Sequence, residues 1–175
     1  ITLIKSNKYR VTFSGTKDFI KWRAKLVPYL DNRTEYELEQ LSGVYPTHTL
    51  MTRGLLFPLE IGAEIQFFDE KTFPQYGSDD DFVLRLKEAG YSSYVSYDAQ
   101  IFDNPHLSSI GSTILRPRFK EFFLSFFNYY SVNSLVKSFW FIWKYGNILL
   151  LPFNMISFLI GTIYANYFKY RKTSI

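Results

Sequence analysis

The stretch Phe73–Tyr91 reads FPQYGSDDDFVLRLKEAGY and carries the strongest pattern in the chain. Apolar residues at positions 82, 83, 86 and 89 recur at helical spacing and predict an amphipathic helix. The run of Asp79, Asp80 and Asp81 falls in the first turn of that helix. Because like charges this close repel one another, the run requires a compensating cation, a helix N-terminus or both. The three aspartates are therefore the best candidates for chemistry in the chain.

The same run also has a purely structural explanation. Ser78 is a suitable N-cap, and acidic side chains in the first turn of a helix interact favourably with its dipole. On the residues alone, a solvated helix start and a functional carboxylate cluster both remain possible.

Short elements are predicted on both sides of this helix. Alternation within residues 1–13 predicts one or two strands, and residues 93–96 and 99–102 predict two more. Charged residues at 34–39 suggest the start of a helix, the apolar run at 55–57 suggests a buried strand, and residues 59–65 suggest a short helix. These elements together predict the α/β class.

The charge distribution divides the chain into two parts. Residues 1–110 carry 12 Lys and Arg against 15 Asp and Glu, whereas residues 111–175 carry 8 Lys and Arg against one Glu. A basic, aromatic tail behind a mildly acidic body suggests an anionic membrane surface rather than nucleic acid. Because the chain has no cysteine, disulfides, Cys-based metal sites and thiol nucleophiles are excluded.

The tail supports several predictions. It has no charged residue from Tyr145 to Phe168, a run of 24 residues, and basic residues follow at once. A bilayer-spanning helix needs roughly 20 mostly apolar residues, but Pro, Gly and Asn dilute this run. A spanning or re-entrant helix, an interfacial amphipathic anchor and a buried or partner-facing hairpin therefore all remain open.

Several positions around the aspartates resemble family 2 glycosyltransferases, in particular the membrane-associated bacterial and archaeal kind. The matching residues lie between about positions 50 and 104 and are Thr52–Pro58 through Ile65, Phe68–Glu70, Phe73-Pro74, Tyr76-Gly77, Asp79, Asp81-Phe82, Arg85 and Ala89–Tyr91. Members of this family are inverting enzymes with the GT-A fold. The resemblance implies that residues 1–112 are the C-terminal, acceptor-side half of a GT-A domain. Residues 113–175 would be a basic, mostly helical membrane-associated segment.

The resemblance also implies roles for individual residues. Asp79, the first acid after the Tyr-Gly turn, would be the general base that takes the proton of the acceptor hydroxyl. Asp81 would hold the acceptor or orient the site, and the Arg53-Gly54 backbone would line the floor near the donor sugar. Asp80 and Arg85 complete the set of donor- or acceptor-binding candidates.

A metal ion is expected of the whole enzyme, Mg²⁺ or Mn²⁺, held by an Asp-x-Asp motif in the preceding half of the domain. The chain starts at Ile1 rather than Met, and we expect that half to lie before residue 1, so the 175 residues alone would be inactive. Many relatives place a metal-binding His near position 103; here Asp103 or His106 is the candidate, and the choice between them stays open. Two departures from the family pattern are Gln66, where Gly is usual, and Asp80, where an apolar residue is common.

The predicted function is transfer of a sugar from a nucleotide-sugar donor to a glycan or lipid-linked acceptor, at the cytoplasmic face of the cell membrane. Membrane lipid is a predicted contact, and no nucleic-acid partner is predicted. Arg116, Arg118 and Lys120 are read as charges near the membrane, although they could hold the donor diphosphate. Two alternatives remain: a polyprenyl-phosphate sugar synthase, and a non-catalytic remnant or membrane-bound interaction module.

Overall fold

A computed structural model describes residues 1–5, 8–32, 34–103 and 119–172, with the backbone alone at Lys5, at Phe119 and from 165 to 172. The predicted boundary at 112/113, and His106, Arg116 and Arg118, lie outside these residues. The described chain contains both helices and small sheets, with most strands in its first half and most helices in its second. The α/β class is thereby confirmed at this coarse level, whereas the GT-A half-domain stays a prediction.

Within the described residues, the strands form three small sheets. The strands are β1 (Thr2–Lys5), β2 (Tyr9–Phe13), β3 (Thr16–Ile20), β4 (Lys25–Pro28), β5 (Glu35–Tyr36), β6 (Val44–Thr47), β7 (Ser93–Ser96) and β8 (Ile101–Phe102). The largest sheet has the order β5-β2-β1-β8, and only its β1–β8 pair is parallel. The pairs β3–β4 and β6–β7 are antiparallel. The strands predicted in 1–13, 93–96 and 99–102 are confirmed, the last over two residues.

Five α-helices carry the rest of the regular structure in the described residues. They are α1 (Leu59–Glu64), α2 (Ser78–Glu88), α3 (Phe119–Ser125), α4 (Leu135–Tyr145) and α5 (Leu151–Lys172). In α2, Phe82, Val83 and Leu86 face an apolar cluster that includes Phe57 and Phe68. This is the face that the helical spacing of the sequence predicted, and its burial holds the start of α2 at a fixed place.

Two predicted elements are wrong. Residues 34–39 form the short strand β5 and part of a 3₁₀ turn, Leu38–Gln40, instead of an α-helix. The run 55–57 is not a strand, and Leu56 is 94% exposed. Pro58 follows directly and lacks the backbone N–H that a ladder needs, so the segment leads into α1 without pairing.

The predicted N-cap of α2 is also wrong. The cap residue is Gly77 in a left-handed conformation (φ +89°), and Ser78 is the first helical residue. The Ser78 hydroxyl instead donates to the neighbouring carboxylate, Asp79 Oδ1, at 3.0 Å.

The tail is helical, as predicted, and it lies against the body. Phe141 of α4 contacts Phe19 and Phe73 edge-on, and Asn154 Nδ2 of α5 donates to the carbonyl of Trp22 at 2.8 Å. Apolar side chains on the opposite surfaces stay exposed and recur every three to four residues: Val136, Trp140 and Trp143 on α4, and Phe153, Ile156, Ile160 and Ile163 on α5.

Among the described helices, none combines the length and the apolar composition that crossing a bilayer requires. The spanning alternative, one of the forms that the sequence left open for the tail, thus has no matching helix in the described part of the chain. The 22-residue α5 is long enough, but it contains Asn154, Gly161 and Asn166 and ends in basic residues. These residues lower its average hydrophobicity below that of a spanning segment.

Candidate functional site

A cavity of about 440 Å³ lies at the start of α2. Its walls come from β2 and β3, from β4, from the segment 49–53 and from the turn that leads into α2. We call it the carboxylate cavity. Four of the predicted site residues line it or lie next to it: Asp79 and Asp80 from α2, and Arg53 with its neighbour Gly54 from the facing segment.

Asp79 is held in one orientation on the wall of the carboxylate cavity. Its Oδ2 accepts hydrogen bonds from the Thr52 backbone N–H at 2.9 Å and from the Thr52 hydroxyl at 3.1 Å. Its Oδ1 accepts from the Ser78 hydroxyl. Donors on both oxygens fix the plane of the carboxylate, as a base that must meet a hydroxyl at a defined angle requires.

Asp80 lies on the same wall and has a different chemistry. Burial, together with the charge of Asp79 beside it, raises the pKa of Asp80 to about 7, against the opposing effect of a hydrogen bond from the Thr49 side chain. A carboxyl group with such a pKa exchanges its proton near neutral pH. The sequence left Asp80 as an unexplained extra charge, and the structure places it at the site.

Asp81 and Arg85 are not brought to the carboxylate cavity. Asp81 is fully buried, and its Oδ2 accepts from Arg85 Nε at 2.8 Å. Its Oδ1 accepts from Lys144 Nζ and from the Tyr145 hydroxyl, both at 2.6 Å. We call Asp81, Arg85, Lys144 and Tyr145 the polar hub. Its members join α2 to α4, which is an anchoring role rather than a binding one.

Arg85 also holds the turn after α1. Its guanidinium donates to the carbonyls of Ile65 and Phe67. Gln66 (φ +63°), which lies between these two residues, and Phe67 (φ +50°) itself both adopt the left-handed conformation. Gln66 thus takes the backbone shape that glycine adopts without strain, at the position where the resemblance expects Gly.

Arg53 and Asp103 form an ion pair at the edge of the carboxylate cavity. Next to them, Gly54 has φ +75°, and a Cβ there would clash with the end of the Ile101 side chain. The positive φ therefore favours glycine at this position. The turn places the Arg53 side chain beside Asp103, at the end of β8.

The described residues do not fit a metal ion. No group of three or more His, Asp or Glu side chains with suitable spacing occurs in them, and Asp103 is already paired with the Arg53 guanidinium. His106, the other candidate, lies outside the described residues. The expected Mg²⁺ or Mn²⁺ stays a prediction about the rest of the enzyme.

A set of buried threonines behind the carboxylate cavity was missed from the sequence. The Thr16 and Thr49 hydroxyls are 2.7 Å apart, and Thr47 Oγ1 accepts from the Thr16 backbone N–H at 2.7 Å and donates to the Thr49 carbonyl at 2.8 Å. These bonds fix the segment that carries Thr52. The alternation Thr47-His48-Thr49 was the available signal, since it places both threonines on one side of an extended chain.

The tail residues of the site were also missed. Lys137 and Lys144 interrupt an otherwise uncharged aromatic segment, and such isolated cations are the signal that could have found them. Lys144 enters the polar hub, and Lys137 lies under the turn before α2, with Nζ at 4.8 Å from the centre of the Tyr76 ring.

Comparison with known proteins gives one informative likeness. The chain is 39% identical over 61 residues to a "Galactofuranosyl glycosyltransferase" of Leishmania donovani, which covers 34% of this chain and 14% of that protein. The chain thus spans about a seventh of the length of the relative it matches. No family model matches the chain, and no solved structure matches it.

Proposed function

We propose that this chain is the acceptor side of an inverting glycosyltransferase of the GT-A kind, with Asp79 as the general base. The observation that carries the proposal is the carboxylate of Asp79, oriented by Thr52 and Ser78 on the wall of a cavity large enough for a sugar unit. The likeness to a protein named a galactofuranosyl glycosyltransferase supports the same class of reaction.

The proposed step is a single displacement. An acceptor hydroxyl in the carboxylate cavity gives its proton to Asp79, and the oxygen lone pair forms a bond to the anomeric carbon of a nucleotide sugar. The bond from that carbon to the diphosphate breaks, and its electron pair leaves with the nucleoside diphosphate. Attack opposite the leaving group inverts the anomeric configuration. General-base catalysis of this kind contributes roughly 10²–10⁴-fold to the rate.

We also propose that the tail rests on the cytoplasmic face of a membrane as an interfacial element. Exposed apolar side chains at a spacing of three to four residues run along α4 and α5, and residues 111–175 carry a strong excess of Lys and Arg. Apolar burial at the interface and attraction to anionic lipid favour the same placement. A glycan on a lipid carrier would then reach the carboxylate cavity from the membrane.

The test of the catalytic proposal is Asp79→Asn in the purified full-length protein, assayed with nucleotide sugars that include the galactofuranose donor. We expect transfer to fall by at least about a hundredfold, while donor binding measured by calorimetry changes little. Asp18→Asn, at an exposed aspartate, is the matched control. Near-normal transfer by Asp79→Asn would contradict the proposal, and a loss confined to Asp80→Asn would move the role of base to Asp80.

A further inference from the structure

Lys137 is a buried cation that has no hydrogen-bond acceptor among the described residues. The residue is 5% exposed, and within the part of the chain that the structure describes its ammonium finds no hydrogen-bond partner. Burial lowers the pKa of Lys137 to about 8, so the side chain is still mostly charged at neutral pH. The cation–π contact with the Tyr76 ring offsets only part of the free energy that the ammonium loses on leaving water. A buried charge of this kind normally has an anionic partner.

Lys137 is one of the residues that line a second cavity, of about 510 Å³, between the body and the tail. Arg23, Lys25 and Lys137 line it, and Asp80 is the only acid among its described lining residues. Since the pKa of Asp80 is about 7, the cavity carries a net positive charge of roughly two at neutral pH. This charge matches a phosphate group better than a single carboxylate.

We call this second cavity the cationic cavity. Its remaining walls are mostly apolar. Phe73, Phe141, Ile142 and Phe158 supply them. A small hydrated anion would leave these walls in contact with water, whereas an anion that carries an apolar group would cover them. The cavity therefore favours an amphiphile over a free inorganic ion.

The cationic cavity adjoins the carboxylate cavity. Leu26, Tyr76, Gly77 and Asp80 line both cavities. A ligand seated in the cationic cavity thus contacts residues that also line the cavity of Asp79. That arrangement would let one molecule place its phosphate at Lys137 and a more distant hydroxyl near Asp79.

We propose that the cationic cavity binds the phosphate of an amphiphilic phosphate ester, with Lys137 as the buried ammonium that receives it. Arg23 and Lys25 hold the same phosphate from the rim, and the apolar chain covers Phe141 and Ile142. The identification of this ligand with the lipid carrier of the acceptor rests on the proposed function; the binding itself does not.

The experiment measures binding without any sugar donor. Purified protein is titrated with dodecyl phosphate below its micelle concentration, with neutral dodecyl maltoside, and with inorganic pyrophosphate. We expect dodecyl phosphate to bind at least tenfold more tightly than either comparison compound. Equal affinity for pyrophosphate would assign the site to free phosphate, and equal affinity for the neutral detergent would assign it to apolar contact alone; either result overturns the proposal.

The variants separate binding from folding. Lys137→Met should lower the affinity for dodecyl phosphate at least tenfold, Lys137→Arg should retain most of it, and Lys87→Met, at an exposed lysine that contacts His48, should change it less than twofold. Because Lys137→Met removes an unpartnered buried charge, its melting temperature should equal or exceed that of the original protein. Unchanged affinity in a folded Lys137→Met protein refutes the proposal.

The same titration distinguishes this proposal from the catalytic one. Asp79→Asn should bind dodecyl phosphate as the original protein does, because Asp79 does not line the cationic cavity. If Asp79→Asn still transferred sugar while Lys137→Met lost the phosphate ester, the catalytic proposal would fail and the binding proposal would stand.

Discussion

Asp79, Asp80 and Asp81 are consecutive in the chain, yet each carboxyl group has its own surroundings. A helix turns by about 100° per residue, so the three side chains leave α2 in different directions. Asp79 meets the Thr52 donors, Asp80 lies between two cavities, and Asp81 enters the buried polar hub. The mutual repulsion that the sequence implied is relieved by this divergence, by the cations at Asp81 and by protonation of Asp80 near neutral pH.

Asp80 makes the stability of the protein depend on pH. Its folded pKa of about 7 lies above the ordinary value of 3.8, so between these pH values the folded state holds a proton that the unfolded state releases. Stability therefore falls as pH rises through this window and stays low above it. We expect Asp80→Asn to be about as stable as the original protein at pH 4 and more stable at pH 8, by on the order of 4 kcal/mol.

Urea unfolding at the two pH values measures this difference. The control is Asp18→Asn, which removes an exposed carboxyl group and should change stability equally at both pH values. If the difference between Asp80→Asn and the original protein did not grow from pH 4 to pH 8, Asp80 would be an ordinary surface carboxylate.

At the scale of elements, the polar hub is the contact that positions α2 against α4. Arg85 lies one helical turn from Asp81, and Lys144 and Tyr145 end α4 beside it. Burial and the Asp81 charge both raise the pKa of the Tyr145 hydroxyl, so it stays a donor across the accessible pH range. The hub thus has one carboxylate and three donors, all in fixed elements.

Breaking the polar hub should destabilise the fold rather than only weaken ligand binding. We expect Asp81→Asn to cost about 3 kcal/mol, because two cations lose their buried counter-charge. Tyr145→Phe should cost about 1–2 kcal/mol, and the double variant should cost less than the sum of the two. Chemical denaturation of the three variants measures this coupling. Glu60→Gln on the exposed side of α1 is the control, and strict additivity would show that the two residues act independently.

Elements that a local pattern determines could be predicted from the sequence. Features that depend on contacts between distant parts of the chain could not. The spacing of Phe82, Val83 and Leu86 was enough to predict α2, because residues of the helix itself form its buried face. The run 55–57 had strand-like composition, but Pro58 follows it directly and the segment leads into α1 without pairing. The hub could not be foreseen, since Lys144 lies 63 residues from Asp81. For the same reason, the sequence suggested a role for Asp79 but did not predict that Thr52, 27 residues away, would orient its carboxylate.

At the scale of the whole molecule, the tail has two different surfaces. One surface contacts the body through Phe141 and Asn154, and the other exposes apolar side chains such as Trp143, Ile156 and Ile160. The contact surface explains how an aromatic and apolar segment comes to complete the cationic cavity. The exposed surface is the one we assign to the bilayer.

Ile156→Ser combined with Ile160→Ser tests that assignment. Both residues are more than half exposed, at 57% and 61%, so folding should be little affected. If these side chains enter the interface, their loss should lower partitioning onto anionic lipid vesicles by at least about tenfold. Vesicle co-sedimentation measures the change. Leu56→Ser, at a residue of the body that is 94% exposed, is the matched control and should partition normally.

The long spacing of the hub contacts also has a consequence for the order of folding. Tyr145 lies 64 residues from Asp81, and Arg85 reaches back 20 residues to Ile65. Loops of this length close after local helices have formed. The start of α2 should therefore reach its final geometry only when the tail has docked, so that α4, which leaves the ribosome after α2, completes the arrangement of the three aspartates.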